Sequence, residues 1–185
     1  MILPIVAYGH PHLRKISVDI TADYPGLQQL IADMYETMYH TIGVGLAAPQ
    51  VNKQIRLFVL DATPYAKEYP EAEGFKKTFI NPRIIETRGD EWAYSEGCLS
   101  IPDIHEDVIR PDEVRLSYLD ESFIKHDEWF RGINARIIQH EYDHLDGILF
   151  VDKIHSLRRI MIKRKLSDIT NGKIESRYRM VFPFR

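Results

Sequence analysis

A helix that carries two histidines one turn apart is the feature that most restricts how this chain can fold. Apolar residues recur every three or four positions over residues 133–145, which predicts an amphipathic helix that ends before Gly147. The segment His140-Glu141-Tyr142-Asp143-His144 lies within this helix. Positions four apart share one helix face, so both imidazoles can bind one metal ion, and Glu141 lies close enough to handle protons. The sequence therefore predicts a metal site on this helix.

Two histidines do not complete a catalytic metal centre, which usually has three protein ligands and one open position. In metzincins a third histidine follows at a fixed spacing, but Phe150 stands at that position here. Glu175, near the end of the chain, leaves a weak case for a gluzincin. The single cysteine, Cys98, would by default be a small buried apolar residue, yet a thiolate is also a strong ligand for Zn²⁺ or Fe²⁺. One cysteine and two histidines would make a three-ligand site.

A run of small residues, Gly43–Gln50, allows the backbone to approach another group closely. Gln50 ends this run with a side-chain amide that could donate a hydrogen bond to a developing oxyanion. A helix end that turns into a strand would use similar residues, and this structural interpretation is favoured when the segment is considered alone.

The rest of the pattern favours one domain of the α+β class. A length of 185 residues is typical of a single domain. Helical periodicity also occurs over residues 27–42 and from Ser156 to Gly172, and residues 62–77 are predicted to form a surface loop. Strands that do not alternate regularly with helices favour an α+β layout. They are predicted at Ile55–Asp61, Thr78–Ile80, Arg83–Thr87, Glu113–Leu119 and Phe123–Phe130.

Composition and charge exclude several classes of protein. The net charge of −3 gives no support for a nucleic-acid binder, because such domains usually carry a marked basic excess. One cysteine cannot form an internal disulfide. The longest strongly apolar run, residues 55–60, is far shorter than the roughly 20 residues of a membrane span, and the N-terminus lacks the features of a signal peptide. We therefore expect a soluble, cytoplasmic protein without membrane contact or direct nucleic-acid specificity.

Three segments together resemble the peptide deformylase family. That family is marked by Gly-x-Gly-Leu-Ala-Ala-x-Gln, Glu-Gly-Cys-Leu-Ser and Gln-His-Glu-x-x-His, which stand here in that order as Gly43–Gln50, Glu96–Ser100 and Gln139–His144. The resemblance extends from the N-terminal arm to residue 166. It implies a compact single α+β domain over residues 1–185, with antiparallel strands around a central metal-binding helix. No role is implied for the C-terminal tail, residues 172–185.

The resemblance also implies an activity and a ligand set. The chain would be a metal-dependent hydrolase that removes the formyl group from the N-terminal formyl-methionine of newly synthesised proteins and releases formate. Glu141 would act as general base, while Gln50 and the backbone N–H of Leu99 would stabilise the oxyanion. One ion per chain is implied, Fe²⁺ physiologically with Zn²⁺, Ni²⁺ or Co²⁺ as substitutes. Its implied ligands are Cys98, His140 and His144.

Substrate-binding residues are implied in the same way. The backbones of Val44, Gly45 and Gly97 would pair with an extended N-formylmethionyl peptide as a strand does. On the metal-binding helix, three residues lie one or two turns before the ligands and would border the methionine pocket: Ile133, Arg136 and Ile137. For the two isoleucines, a place in the hydrophobic core is an equally good interpretation.

Two further features have both a functional and a plain structural interpretation. In the family Glu96 pairs with an arginine, for which Arg110 is the candidate here; the alternative is an exposed, weak ion pair. The basic residues of 158–165 would usually form a solvated helix face. In some family members the C-terminal helix contacts the ribosome, so a ribosome contact is a further possibility.

Three alternatives to this interpretation stay open. A zincin-type metallopeptidase would need a metal ligand downstream of His144, and Cys98 would be dispensable. A structural metal site would be closed by a fourth protein ligand and would need neither Gln50 nor Glu141. Cys98 could also act as a covalent nucleophile, although a metal-bound thiolate is poorly available for that role.

Overall fold

The computed structural model describes residues 1–184 and places three α-helices and seven strands in that part of the chain. The helices are α1 (Leu27–His40), α2 (Gly132–Leu145) and α3 (Ser156–Thr170). The strands are β1 (Ile5–Val6), β2 (Gly45–Ala47), β3 (Leu57–Asp61), β4 (Lys76–Cys98), β5 (Ile101–Leu119), β6 (Lys125–Arg131) and β7 (Met180–Val181). This arrangement confirms the predicted α+β class.

Five strands form one antiparallel sheet in the order β2-β3-β4-β5-β6. The two longest strands, β4 and β5, pair along most of their length, with register shifts at several points. Their pairing ends at Cys98 and Ile101, so Leu99 and Ser100 form the tight turn between them. This hairpin end brings the cysteine to one end of the sheet.

Strand β3 is buried on both faces, which explains its continuous apolar run. Leu57 and Val59 pack into the core cluster that contains the apolar face of α1, whereas Phe58 and Leu60 pack into the cluster that contains α2. Successive side chains of a strand point to opposite faces, so the two helices cover opposite sides of the sheet. Each large apolar side chain that is fully buried contributes about 1.5–3 kcal/mol to folding.

Helix α2 is fixed against the sheet by its own apolar face. Ile133 and Ile138 are fully buried in the same cluster as Phe58 and Phe79, whose rings stack with centroids 4.6 Å apart. After α2, Gly147 adopts a φ of 73° and its N–H donates to the carbonyl of His144, which closes the helix as a C-terminal glycine does. The helix is therefore held rigidly at both its face and its end.

The helices begin and end close to the predicted positions, and the ends of β3 and β6 lie within two residues of theirs, whereas β4 and β5 are much longer than predicted. The runs at Thr78–Ile80 and Arg83–Thr87 are parts of the single strand β4, and β5 begins twelve residues before the predicted Glu113. The predicted loop 62–77 contains two short 3₁₀ turns and the first residues of β4, and it buries Ala72 completely. Its backbone is thus more ordered than its polar composition indicates.

The two ends of the chain lie side by side. Strand β7 pairs in parallel with β1, with Ile5 opposite Met180 and Val6 opposite Val181. Apolar side chains of the C-terminal segment, including Ile174 and Met180, pack against the same core cluster as α3. Within residues 1–184, none of the helices has the length and apolar character that crossing a membrane requires.

Candidate active site

The predicted ligands meet at one point, where the end of β4 faces α2. The Sγ atom of Cys98 lies 3.3 Å from Nε2 of His144, and the candidate ligand atoms of Cys98, His140 and His144 all lie within 4.8 Å of one another. Tetrahedral bonds of about 2.3 Å to sulfur and 2.0–2.1 Å to nitrogen would place these two atoms roughly 3.5 Å apart. The three side chains therefore fit a metal ion of this kind.

The downstream metal ligands that a zincin-type peptidase would need are not part of this cluster in the described residues. Among residues 1–184, no other set of three or more histidine, cysteine, aspartate or glutamate side chains is gathered in this way. Glu175 lines the surrounding cleft but is not part of the ligand group. Phe150, which replaces the third histidine of metzincins, instead stacks on the ring of His140 with centroids 6.2 Å apart.

Hydrogen bonding fixes which nitrogen of His140 is free to bind a metal. Nδ1 of His140 lies 2.9 Å from Oε2 of Glu96, so Nδ1 carries the proton and Nε2 is left as the ligand atom. Burial lowers the pKa of His140, but the hydrogen bonds to Cys98 and Glu96 outweigh it and raise the pKa well above its ordinary value. The groups around His140 therefore stabilise a positive charge at this position, and a bound metal cation would be stabilised in the same way.

His144 has the protonation state that a ligand needs. Its side chain is almost completely buried, and burial lowers its pKa well below the ordinary value. A neutral imidazole is the form that binds metal ions.

Glu96 connects α2, through His140 and the buried Arg136, to the buried Arg110 of β5. Arg110 donates to both carboxylate oxygens of Glu96, at 2.7 and 3.0 Å, and Arg136 donates to Oε1 at 2.9 Å. Arg110 also pairs with Asp143 at 2.6 Å. Although burial raises the pKa of Glu96, hydrogen bonds from His140 and Arg110 lower it far below its ordinary value. The predicted Glu96–Arg110 pair is therefore formed, and it is buried rather than exposed.

Glu141 faces the cleft, and among residues 1–184 its Oε2 has no hydrogen-bond partner. Its side chain is buried, and Oε2 contacts no donor in the part of the chain that the structure describes. Burial raises its pKa to about 7, against a smaller lowering effect of His140. A Cβ atom at Gly45 would collide with the Glu141 carboxylate, so only glycine leaves room for it there. The carboxyl group is thus placed to exchange a proton with a molecule in the cleft.

The carboxamide of Gln50 is held in one orientation. Gln50 lies in the short 3₁₀ turn Ala48–Val51 and its Oε1 accepts from the N–H of Ala47 at 2.8 Å. Its Nε2 lies 3.4 Å from Sγ of Cys98 and 3.3 Å from Oγ of Ser100. Because the carbonyl oxygen is engaged by the backbone, the NH₂ group must point towards the ligand cluster.

A cavity of about 750 Å³, within the roughly 300–1,000 Å³ of ordinary ligand sites, is lined by Gln50, Cys98, His140 and Glu141. Ile133 and Ile137 both line it and also belong to the core cluster, so their side chains form part of the core and part of the cavity wall. Every residue predicted to contact substrate lines this cavity: Val44, Gly45, Gly97, Ile133, Arg136 and Ile137.

Two features of the site were not predicted from the sequence. Arg136 was expected only to border the pocket, yet it also donates to the carbonyls of Val108 and Trp92 and lies over the Trp92 ring, 4.5 Å from its centroid. Its position on the buried face of α2 is the one indication that it needs a buried carboxylate partner. Residues 175–178 of the C-terminal tail also line the cavity, and no local pattern indicates this.

Comparison with known proteins agrees with this geometry. A model of the family "Polypeptide deformylase" matches residues 2–160. The peptide deformylase of Flavobacterium johnsoniae is 54% identical over 98% of this chain and 96% of its own length, and that of Christiangramia forsetii is 53% identical over 99% and 97%. A crystal structure of a peptide deformylase from Legionella pneumophila is 35% identical, with a TM-score of 0.82, over 95% of this chain and 99% of the other. This chain therefore belongs to the polypeptide deformylase family of metal-dependent hydrolases, and it removes the formyl group from the N-terminal formyl-methionine of newly synthesised proteins.

Proposed function

We propose that this hydrolysis takes place at one metal ion held by Cys98, His140 and His144. The observation that carries the proposal is the convergence of their ligand atoms within 4.8 Å beside the unpartnered carboxylate of Glu141. When bound, such an ion polarises the formyl oxygen and lowers the pKa of water towards neutrality. The remaining steps depend on side chains and backbone groups of this chain.

Glu141 acts as the general base and then as the general acid. Its carboxylate takes one proton from the attacking water, whose oxygen adds to the formyl carbon. As the C–N bond breaks, the same carboxyl group gives that proton to the leaving nitrogen, so the products are formate and a free N-terminal amine. The unpartnered Oε2, which lies in the cleft beside the candidate ligands, supports this double role, because no donor among residues 1–184 occupies it.

Negative charge that develops on the formyl oxygen is met by two donors of this chain. One is the NH₂ group of Gln50, which its carbonyl contact to Ala47 directs towards the cluster. The other is the backbone N–H of Leu99, which directly follows Cys98 at the hairpin turn. Donors that are already in position stabilise a transition state without a cost for reorganisation.

The peptide binds as an added strand. Strand β2 lies at one edge of the five-stranded sheet, so Gly45 and the N–H of the preceding Val44 can offer hydrogen-bonding groups to an extended chain, while the Val44 carbonyl accepts from Asp61. Gly97 contributes from the facing hairpin, where an added Cβ would lie 2.6 Å from the imidazole of His105. The methionine side chain enters between Ile133, Ile137 and the stem of Arg136.

We propose Fe²⁺ as the physiological ion, one per chain, with Zn²⁺, Ni²⁺ or Co²⁺ as substitutes. A thiolate with two imidazoles suits iron and zinc better than the hard ions Mg²⁺ or Ca²⁺, which prefer oxygen ligands. An open fourth position, as in other catalytic sites with three protein ligands, leaves room for water and substrate.

We further propose that the whole of residues 1–185 acts as one catalytic domain in the cytoplasm, where nascent chains carry formyl-methionine. Pairing of β7 with β1 supports inclusion of the C-terminal tail. Helix α3 exposes basic and apolar side chains, including Lys163, Arg164 and Ile160, which would suit contact with the ribosome. Cosedimentation of wild-type protein with ribosomes, compared with a Lys163→Glu/Arg164→Glu variant, tests this contact.

The test of the metal-site proposal is to measure metal content and formate release on the same anaerobic sample. Cys98→Ala should lose both, because two remaining ligands bind an ion far more weakly than three. His126→Ala is the matched control, since this histidine pairs with Asp120 away from the cluster. Full metal occupancy with retained formate release in Cys98→Ala would contradict the proposal, because Cys98 would then be dispensable as a ligand. Metal without any formate release in the wild type would favour a structural site.

A further inference from the structure

The turn between β4 and β5 is held by groups from the two ends of the chain. This turn, Leu99–Ser100, follows the candidate ligand Cys98 directly. The carbonyl of Leu99 accepts a hydrogen bond from the phenol of Tyr178 at 2.7 Å. The carbonyl of Ser100 accepts from the backbone N–H of Tyr8 at 2.8 Å. Both carbonyls of a two-residue turn are thus engaged by distant parts of the sequence.

The two donors belong to segments that are joined to each other. Tyr8 follows β1 and Tyr178 precedes β7, and these strands pair in parallel. The pairing continues beside both donors, since Ile5 donates to the carbonyl of Arg179 and Ala7 donates to that of Val181, each at 2.9 Å. Both donors are therefore positioned by the same pair of strands, β1 and β7.

Tyr178 is itself well positioned for this contact. Its ring is half-buried and packs against the same core cluster as the side chain of Leu99. Burial raises the pKa of its phenol, so the group stays protonated and can donate. Leu99 is also confined on its other side, because a Cβ atom at Gly43 would lie 2.9 Å from its side chain. Little freedom is left to this residue as long as the phenol contact is present.

We propose that Tyr178 is a positioning residue for deformylation, which holds the Leu99–Ser100 turn so that the Leu99 N–H meets the developing oxyanion. This proposal rests on the role of Leu99 in the proposed function. Tyr178 touches no reacting atom and acts through the turn. The C-terminal tail, for which the sequence indicates no role, then supports the catalytic site through Tyr178.

Tyr178→Phe removes the phenol oxygen and keeps the ring. Loss of a whole oxyanion donor costs about 10²–10³ in kcat, and loss of a group that only positions such a donor should lower kcat by about 10-fold, with KM unchanged. Tyr35→Phe is the matched control, because Tyr35 is also half-buried against this cluster and makes one phenol contact, to Thr78 at 3.2 Å. The control should keep wild-type kcat, and both variants should keep their metal.

Hydrogen–deuterium exchange supplies a readout that does not depend on activity. In Tyr178→Phe, amides of residues 97–101 should exchange about 5-fold faster, the factor expected for one lost hydrogen bond. Exchange there should not change in Tyr35→Phe. Faster exchange together with a lower kcat supports the proposal.

Other outcomes would overturn it. An unchanged kcat in Tyr178→Phe, whether or not exchange is faster, shows that the turn needs no such support for catalysis. A loss confined to KM shows that Tyr178 contributes only to the substrate-binding wall. If the wild-type protein releases no formate, the proposed function fails and the positioning role fails with it; a fully active wild type with an unaffected variant overturns the positioning role alone.

Discussion

Replacement of Glu96 by glutamine should be among the most damaging single changes near the site, although Glu96 is not a metal ligand. Its carboxylate accepts from three partners, Arg110, Arg136 and His140, at distances of 2.7 to 3.0 Å. The side chains of Glu96 and Arg110 are each only 4% exposed, and that of Arg136 is 2% exposed. Glutamine keeps the shape, but it removes the negative charge and turns an NH₂ group towards groups that are themselves donors.

The magnitude follows from the burial of the partners. Breaking a buried ion pair by removal of one partner costs about 3–5 kcal/mol, because the other charge is left uncompensated. Arg110 keeps its contact to Asp143 and Arg136 keeps two backbone carbonyls, which places the expected loss towards the lower end, about 3 kcal/mol. His140 also loses the partner of its Nδ1, which should weaken metal binding by about 10–100-fold.

The assay is urea unfolding of metal-free protein, followed by metal titration of the folded protein. Asp127→Asn is the matched control, because Asp127 pairs with Arg115 through the same two-oxygen contact while both side chains are at least 40% exposed. An exposed pair of this kind should contribute about 0.2–1 kcal/mol. If Glu96→Gln loses no more stability than Asp127→Asn, the reasoning from burial is wrong. Unchanged metal affinity would refute the link through His140.

Two further predictions concern the oxyanion and the ion. Gln50→Ala should reduce kcat by about 10²–10³ in steady-state formate release, because its NH₂ group is directed at the cluster; a change in KM alone would mean that Gln50 binds only ground-state substrate. If Fe²⁺ is the native ion, activity of the iron form should decay in air and persist after exchange to Ni²⁺ or Zn²⁺, which are not readily oxidised. Equal persistence of the iron and nickel forms, measured as residual activity over time, would contradict this.

The helices and the two candidate histidine ligands could be predicted from the sequence because their signals are local. The apolar spacing over 133–145 lies within one segment, and it placed His140 and His144 on one helix face before any fold was known. Cys98 could not be assigned from local spacing, since its distance from α2 depends on the fold. The resemblance of three motifs to the family indicated it as a ligand. The same holds for Gln50, which reaches the cluster from a different element.

The parts that could not be predicted depend on pairings between distant segments. Most of β4 after residue 82 is exposed and polar, so it lacks the alternation by which a half-buried strand is recognised. Burial does alternate along the first half of β5, but charged residues stand at two of its buried positions, Glu106 and Arg110, so the apolar pattern is interrupted there. Strands β1 and β7 have two residues each and pair across almost the whole length of the chain. Their contact, and with it the position of Tyr178, leaves no periodic signal in either segment.

Replacement of Glu141 by glutamine tests the central claim most directly, because Glu141 lies inside the metal motif without being assigned as a ligand. The change keeps the side-chain shape and removes the proton acceptor, while Cys98, His140 and His144 are untouched. Metal content and formate release from a formyl-methionyl peptide should be measured on one anaerobic sample. The account predicts near-normal metal with a loss of activity of at least about 10²–10⁴, the contribution typical of general acid–base catalysis. Near-full activity, or loss of the metal itself, would contradict it.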